Sequence, residues 1–129
     1  MSHELFDSAV WEKAWKEDPY TGVNKMKRAG IDPAHSFDSS AKSFNKEVFS
    51  EEGRQRARRI MNWLEDQGVE FSGSSVLDIG AASGGFSVPF AERGADVTAV
   101  ETSLPLVELL QQNSSALVNG TVKVVHEPF

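Results

Sequence analysis

Val76-Leu77-Asp78-Ile79-Gly80-Ala81-Ala82-Ser83-Gly84-Gly85-Phe86 decides the fold. Val76 to Ile79 is a short apolar run of the kind that forms a buried strand. Gly80 to Gly85 is too rich in glycine to continue it and reads as a tight turn. A helix over Gly84 to Arg93 follows, ended by Gly94. Strand, glycine turn and helix in that order present unpaired backbone N–H groups and a positive dipole end to whatever lies beyond the strand. Ala81, Ala82, Ser83, Gly84 and Gly85 are small, so a ligand can come close to this backbone.

Downstream, the pattern repeats. Asp96 to Val100 reads as a second strand. Ser103 is placed to cap a helix reaching about Leu117, with Pro105 in its first turn. Asn119-Gly120 makes a turn, and Val122 to Val125 reads as a third strand. Alternating strands and helices with short links predict right-handed crossovers and a parallel sheet. In such a sheet ligands bind beyond the carboxyl ends of the strands. Glu101 would stand there, about twenty residues after Gly80, where a carboxylate can accept hydrogen bonds from both hydroxyls of a ribose. Thr102 adjoins it. A dinucleotide site needs Gly-x-Gly-x-x-Gly, but the matching frame here is Gly80, Ala82, Gly85, which lacks the middle glycine. Asp78 would also repel a pyrophosphate. A carboxylate at that position suits a cationic ligand such as S-adenosylmethionine, with its sulfonium and ammonium groups.

Val76-Leu77-Asp78-Ile79-Gly80, with Gly84 after it, resembles the first motif of the class I S-adenosylmethionine-dependent methyltransferases. Val97-Thr98-Ala99-Val100-Glu101 resembles the motif that follows in that family. The resemblance covers residues 71–129. It implies a Rossmann-like sheet, Asp78 and the Gly80–Gly85 backbone along the methionine part of the cofactor, and Glu101 at its ribose, with Phe86 and Thr102 also among the cofactor-binding residues. Ala41-Lys42-Ser43-Phe44-Asn45 is similar to an Ala-x-x-Tyr-Asp element that many members carry upstream. That similarity implies a place near the cofactor for Phe44, a Phe where Tyr is usual. Glu127 is the only acid after the third strand available for adenine. The eight residues Gly80 to Ser87 are also similar to the glycine turn of ribose-methylating RNA enzymes.

Residues 1–70 read differently, as charged helices: Ala9 to Glu17, Val23 to Ala29 with Gly30 as stop, another starting at Asp32-Pro33, and one capped by Ser50. The last has Glu51 and Glu52 at its positive end, Ala57, Ile60, Met61 and Leu64 at helical spacing, and Gly68 as its close. Ser36 to Asn45 fits either a helix or an ordered loop carrying Phe37 and Phe44. Trp11 and Trp15 share a helix face and are expected to pack against the sheet; Tyr20 falls in a turn. Arg54, Arg56, Arg58 and Arg59 lie mainly off the apolar stripe of their helix and read as a solvated face. The expected architecture is therefore α/β, an incomplete Rossmann-like doubly wound parallel sheet of about three strands preceded by N-terminal helices. Residues 1–70 form a helical extension and residues 71–129 the first half of a cofactor domain.

The chain has 129 residues, no cysteine and a net charge of −6. Disulfide scaffolds and thiolate metal sites are absent, and His3, His35 and His126 lack metal-ligand spacing. The acidic balance opposes broad binding to nucleic acid or anionic membrane. With no apolar run long enough to span a membrane and no signal-peptide pattern, a cytoplasmic protein is expected. The functional expectation is an S-adenosylmethionine-dependent methyltransferase acting on a small molecule. The alternatives are an RNA methyltransferase and a non-catalytic cofactor-binding or assembly module. The family's sheet continues past a third strand. The chain therefore reads as the N-terminal part of such an enzyme, inactive alone, with catalytic and acceptor residues beyond Phe129. A homo-oligomer formed through the exposed sheet edge is expected as well.

Overall fold

Ser50 fixes the start of the longest helix, and the rest of the architecture can be followed from it. Its side chain accepts a hydrogen bond from the Gly53 N–H at 3.1 Å while its hydroxyl donates to the Glu47 carbonyl at 2.6 Å. The same hydroxyl thus ends one helix and begins the next, α1 (Ala41–Val48) and α2 (Glu51–Asp66). Gly53 permits the corner, since a Cβ there would lie 2.4 Å from the Val48 carbonyl oxygen. A 3-10 turn, Asp38–Ser40, leads into α1. From Asp38 to Asn45 the ambiguous stretch is thus helical, first tight and then α.

This computed structural model describes residues 37–128 without a break, and Ala9, Lys13, Glu17, Ala29, Gly30 and His35 before them. The chain divides into two compact units, Met1–Ser36 and Phe37–Phe129. In the first, Ala9, Lys13 and Glu17 are helical, and Lys13 Nζ lies 4.0 Å from Glu17 Oε1 one turn on. Gly30 has the left-handed φ of 74° suited to a helix stop. The remaining expectations for that unit, including those for Trp11, Trp15 and Tyr20, fall outside the described residues.

In the second unit α2 is followed by β1 (Ser75–Ile79), α3 (Ser87–Glu92), β2 (Asp96–Glu101), α4 (Leu104–Ser114) and β3 (Thr121–His126). The strands form a parallel sheet in the order β1-β2-β3, with Ser75 opposite Asp96 and Glu101 opposite His126. The α/β class and the three-stranded parallel sheet agree with expectation. One face of the sheet carries Val76, Val97, Ala99, Val122 and Val124. Together with Met61 of α2, Ala91 of α3 and Leu110 of α4, these residues make the core. Ala91, Ala95 and Ala99 are fully buried, and their small side chains let α3 lie close on the strands. Phe71 fills the end of this layer, its ring 5.3 Å from that of Phe90.

Two local expectations need correction. The apolar run predicts a buried first strand, yet Leu77 and Ile79 are 62% and 59% exposed. They point to the face opposite the helices, which no described element covers. The helix after the glycine turn starts at Ser87, not Gly84. Gly84 has φ 98°, a left-handed conformation that α-helix cannot contain.

Candidate functional site

The glycine turn owes its shape to residues that alternate in hand. Gly80, Ala82 and Gly84 have φ of 75°, 51° and 98°. Ala82 therefore takes the conformation a glycine would supply, so the missing middle glycine does not change the path of the backbone. A side chain at Gly84 would be strained and crowded. A Cβ there would lie 2.6 Å from Leu110 Cδ1 and 3.1 Å from Val88 Cγ2. The turn is fastened to the end of β2, where the N–H groups of Gly80 and Ala81 both donate to the Val100 carbonyl, at 2.9 and 3.0 Å.

Glu101 closes the other side. Its side chain is buried, and each carboxylate oxygen accepts one backbone N–H: Oε2 from Ala82 at 3.1 Å and Oε1 from Ser103 at 3.3 Å. A carboxylate has about four acceptor positions. Each oxygen thus keeps capacity for one more donor, as a vicinal diol requires. Asp78 Oδ2 accepts the Ser87 hydroxyl at 2.6 Å, which ties the end of β1 to the first turn of α3; among the described residues Oδ1 has no partner. Among the described residues, the N–H groups of Ser83, Gly85 and Phe86 donate to no protein acceptor. Ser83 is fully buried and its Oγ has no hydrogen-bond partner among the described residues. Buried polar atoms are rarely left so, and an orphan beside free N–H groups fits a polar ligand.

The structure therefore gathers Asp78, the Gly80–Phe86 turn, Glu101 and Thr102 at the carboxyl ends of β1 and β2. His126 and Glu127 stand beside them at the end of β3. His126 Nε2 lies 2.9 Å from the Thr102 carbonyl, and a carbonyl only accepts, so Nε2 carries the proton. Glu127 is exposed and its N–H donates to the Glu101 carbonyl at 3.2 Å. Phe44 is on α1, 37% exposed. The residue of α1 that reaches toward the turn is its neighbour Asn45, whose Oδ1 accepts from Asn113 Nδ2 at 2.8 Å. The same Asn113 nitrogen donates to the Ser83 carbonyl at 2.8 Å. At the other end of the helical segment, Ser103 Oγ donates to Asp38 Oδ1 at 2.7 Å.

Asn113, Asp38 and Ser103 bond to the turn and to its neighbours, and the motifs did not point to them. A signal existed for Asn113. It continues the face of Leu106 and Leu110, so a polar amide occupies a place on the buried stripe of α4. Ser103 caps α4 without a side-chain bond to it, because its hydroxyl goes to Asp38. The arginines of α2 are exposed, and Arg58 Nη2 lies 3.3 Å from Glu51 Oε1, as a solvated face would be. Among the described residues no cluster of His, Asp and Glu could hold a metal ion, and no helix is long and apolar enough to cross a membrane.

No protein-family model matches the chain. It is 38% identical over 58 residues to the mitochondrial ubiquinone biosynthesis O-methyltransferase of Schizosaccharomyces pombe, a match covering 43% of this chain and 21% of that protein. It is 35% identical over 74 residues to the 23S rRNA (uracil(1939)-C(5))-methyltransferase of Shewanella amazonensis, covering 57% of this chain and 15% of that protein. Among solved structures, the magnesium protoporphyrin IX methyltransferase of Synechocystis aligns over 98% of this chain. With bound S-adenosylmethionine the TM-score is 0.50 at 20% identity, over 55% of that structure. With the demethylated product S-adenosylhomocysteine it is 0.51 at 21% identity, over 49%. The chain thus spans about a fifth or less of the curated proteins it matches and about half of the solved ones. In its glycine-turn sequence and in its parallel α/β fold, the chain resembles the class I S-adenosylmethionine-dependent methyltransferases.

Proposed function

We infer that this chain carries the methyl-donor site of an S-adenosylmethionine-dependent methyltransferase. The observation that carries the reading is Glu101, a buried carboxylate at the end of β2, held by the N–H of the glycine turn on one oxygen and by the following loop on the other. Its remaining acceptor positions suit the two ribose hydroxyls. The free N–H groups of Ser83, Gly85 and Phe86 and the orphaned Ser83 hydroxyl suit the carboxylate of the methionine part, and Asp78 supplies negative charge near its cationic groups. Ala81, Ala82, Gly84, Thr102 and Phe44 complete the proposed contact set.

When bound, the cofactor supplies an electrophilic methyl group and its own leaving group. What the chain contributes is orientation: a turn fixed at both ends, and a carboxylate whose rotamer is set before the ligand arrives. The reading assigns no general base. A small-molecule acceptor is favoured by the net charge of −6, since tight RNA binding draws on a basic face. A ribosomal RNA methyltransferase among the relatives supports RNA as the second reading.

Calorimetry separates the cofactor classes. S-adenosylhomocysteine should bind and NAD should not. Binding of NAD in its place would overturn the assignment. Steep loss of RNA binding with added salt would move the acceptor reading to RNA.

A further inference from the structure

Asn113 spends both hydrogens of one amide nitrogen on two different elements. One goes to the Ser83 carbonyl inside the glycine turn and one to Asn45 Oδ1 on α1, each at 2.8 Å. We propose that Asn113 is a positioning residue that ties α1 to the glycine turn, so that the setting of the turn for the amino-acid part of the cofactor depends on α1 being docked. The cofactor clause rests on the function proposed above.

Several observations support the tie. Packing alone holds α1 weakly, since Ala41 is its one buried residue. Beside the tie there is space: Val48, Phe49, Gly85, Val88, Pro89 and Asn113 are among the residues lining a cavity of about 400 Å³. A further side-chain hydrogen bond between this segment and the cleft runs from the Ser103 hydroxyl to Asp38, and the Ser103 N–H is held by Glu101. The segment is thus pinned by polar groups at its two ends, one beside the turn and one beside the carboxylate. The turn itself needs an outside restraint. It contains a left-handed alanine, and it buries a serine whose hydroxyl has no partner. The chemistry is specific as well, because joining two carbonyl-type oxygens takes two hydrogens on one short side chain. A carboxylate has none, so Asn113→Asp would set three acceptors against each other at nearly unchanged volume.

The test combines hydrogen exchange with binding. Asn113→Asp should speed amide exchange in Ala41–Val48 about tenfold or more, as expected when a locally stabilising bond is lost. It should weaken S-adenosylhomocysteine about tenfold. Methylthioadenosine, which keeps the ribose but lacks the amino-acid part, should bind as to the wild type. Asn45→Asp keeps the acceptor and should leave both readouts near wild type, and unchanged exchange in β2 of Asn113→Asp would separate local release of α1 from a general loss of folding. Unchanged exchange in α1, or equal weakening of both ligands in Asn113→Asp, would overturn the proposal. If the wild type binds neither ligand, the cofactor reading and the coupling built on it both fall. The exchange data still decide whether the tie exists.

Discussion

Ala82 shows how much chemistry one residue of the turn combines. It is the one non-glycine residue with positive φ among those described, and its N–H is the group Glu101 accepts. A left-handed L-residue costs roughly 1–2 kcal/mol. Replacing it by glycine removes that strain but returns about 0.5–1 kcal/mol of backbone entropy to the unfolded chain. Ala82→Gly should therefore change stability in urea by less than about 1 kcal/mol and keep the turn. Ala82→Val should destabilise by about 2 kcal/mol or more, because β-branched residues avoid this region most. At this scale the legible part of the site was the part written in adjacent residues. Asp78, the turn and Glu101 are each specified by their place relative to a strand end. Asn113 stands out only as an amide on the buried stripe of α4; its partner and that of Asp38 were not legible, since they lie 30 and 65 residues away, and those choices are made by packing rather than by local pattern.

Among the elements, α3 and α4 are coupled through the turn that precedes α3. The place that a Gly84 Cβ would need is already taken by the Leu110 side chain. Gly84→Ala adds this clash to a disfavoured φ and should cost roughly 1–3 kcal/mol. Leu110→Ala should cost about 2–5 kcal/mol by leaving a cavity in the core. Because the second substitution clears the space the first one needs, the double variant should be more stable than the sum of the two losses implies. A double-mutant cycle in urea reads this coupling directly. An additive result would show that the turn relaxes away from α4. The elements themselves were largely visible in the sequence, from the Ser50 cap to the strand at Thr121–His126. The structure departs from the sequence pattern at α3, where glycine marks the turn rather than the helix start, and at β1, where the apolar run predicts a buried strand but Leu77 and Ile79 are exposed. An apolar run does not say whether a second layer is present to cover it.

For the whole molecule, the consequence of that bare face is association. Leu77 and Ile79 stand out from the sheet, and among the described strands β1 pairs with β2 alone. Exposed apolar side chains beside an open strand edge favour pairing with another chain. The purified protein is expected to form oligomers in light scattering, and Leu77→Glu with Ile79→Glu should shift it toward monomer without changing the helical core. A wild-type monomer at high concentration would contradict this. The net charge of −6 opposes close approach of two copies, so association should strengthen as salt screens it. In the proposed function the cofactor's ribose falls to the buried carboxylate of Glu101. Titrating S-adenosylhomocysteine into the wild type and into Glu101→Gln by calorimetry tests it most directly. The amide retains one acceptor oxygen but sets an N–H₂ against a backbone N–H. Affinity should fall about 10- to 100-fold, the loss expected for a charged hydrogen-bonding group, while the variant stays folded. Equal affinity in wild type and Glu101→Gln would contradict the account.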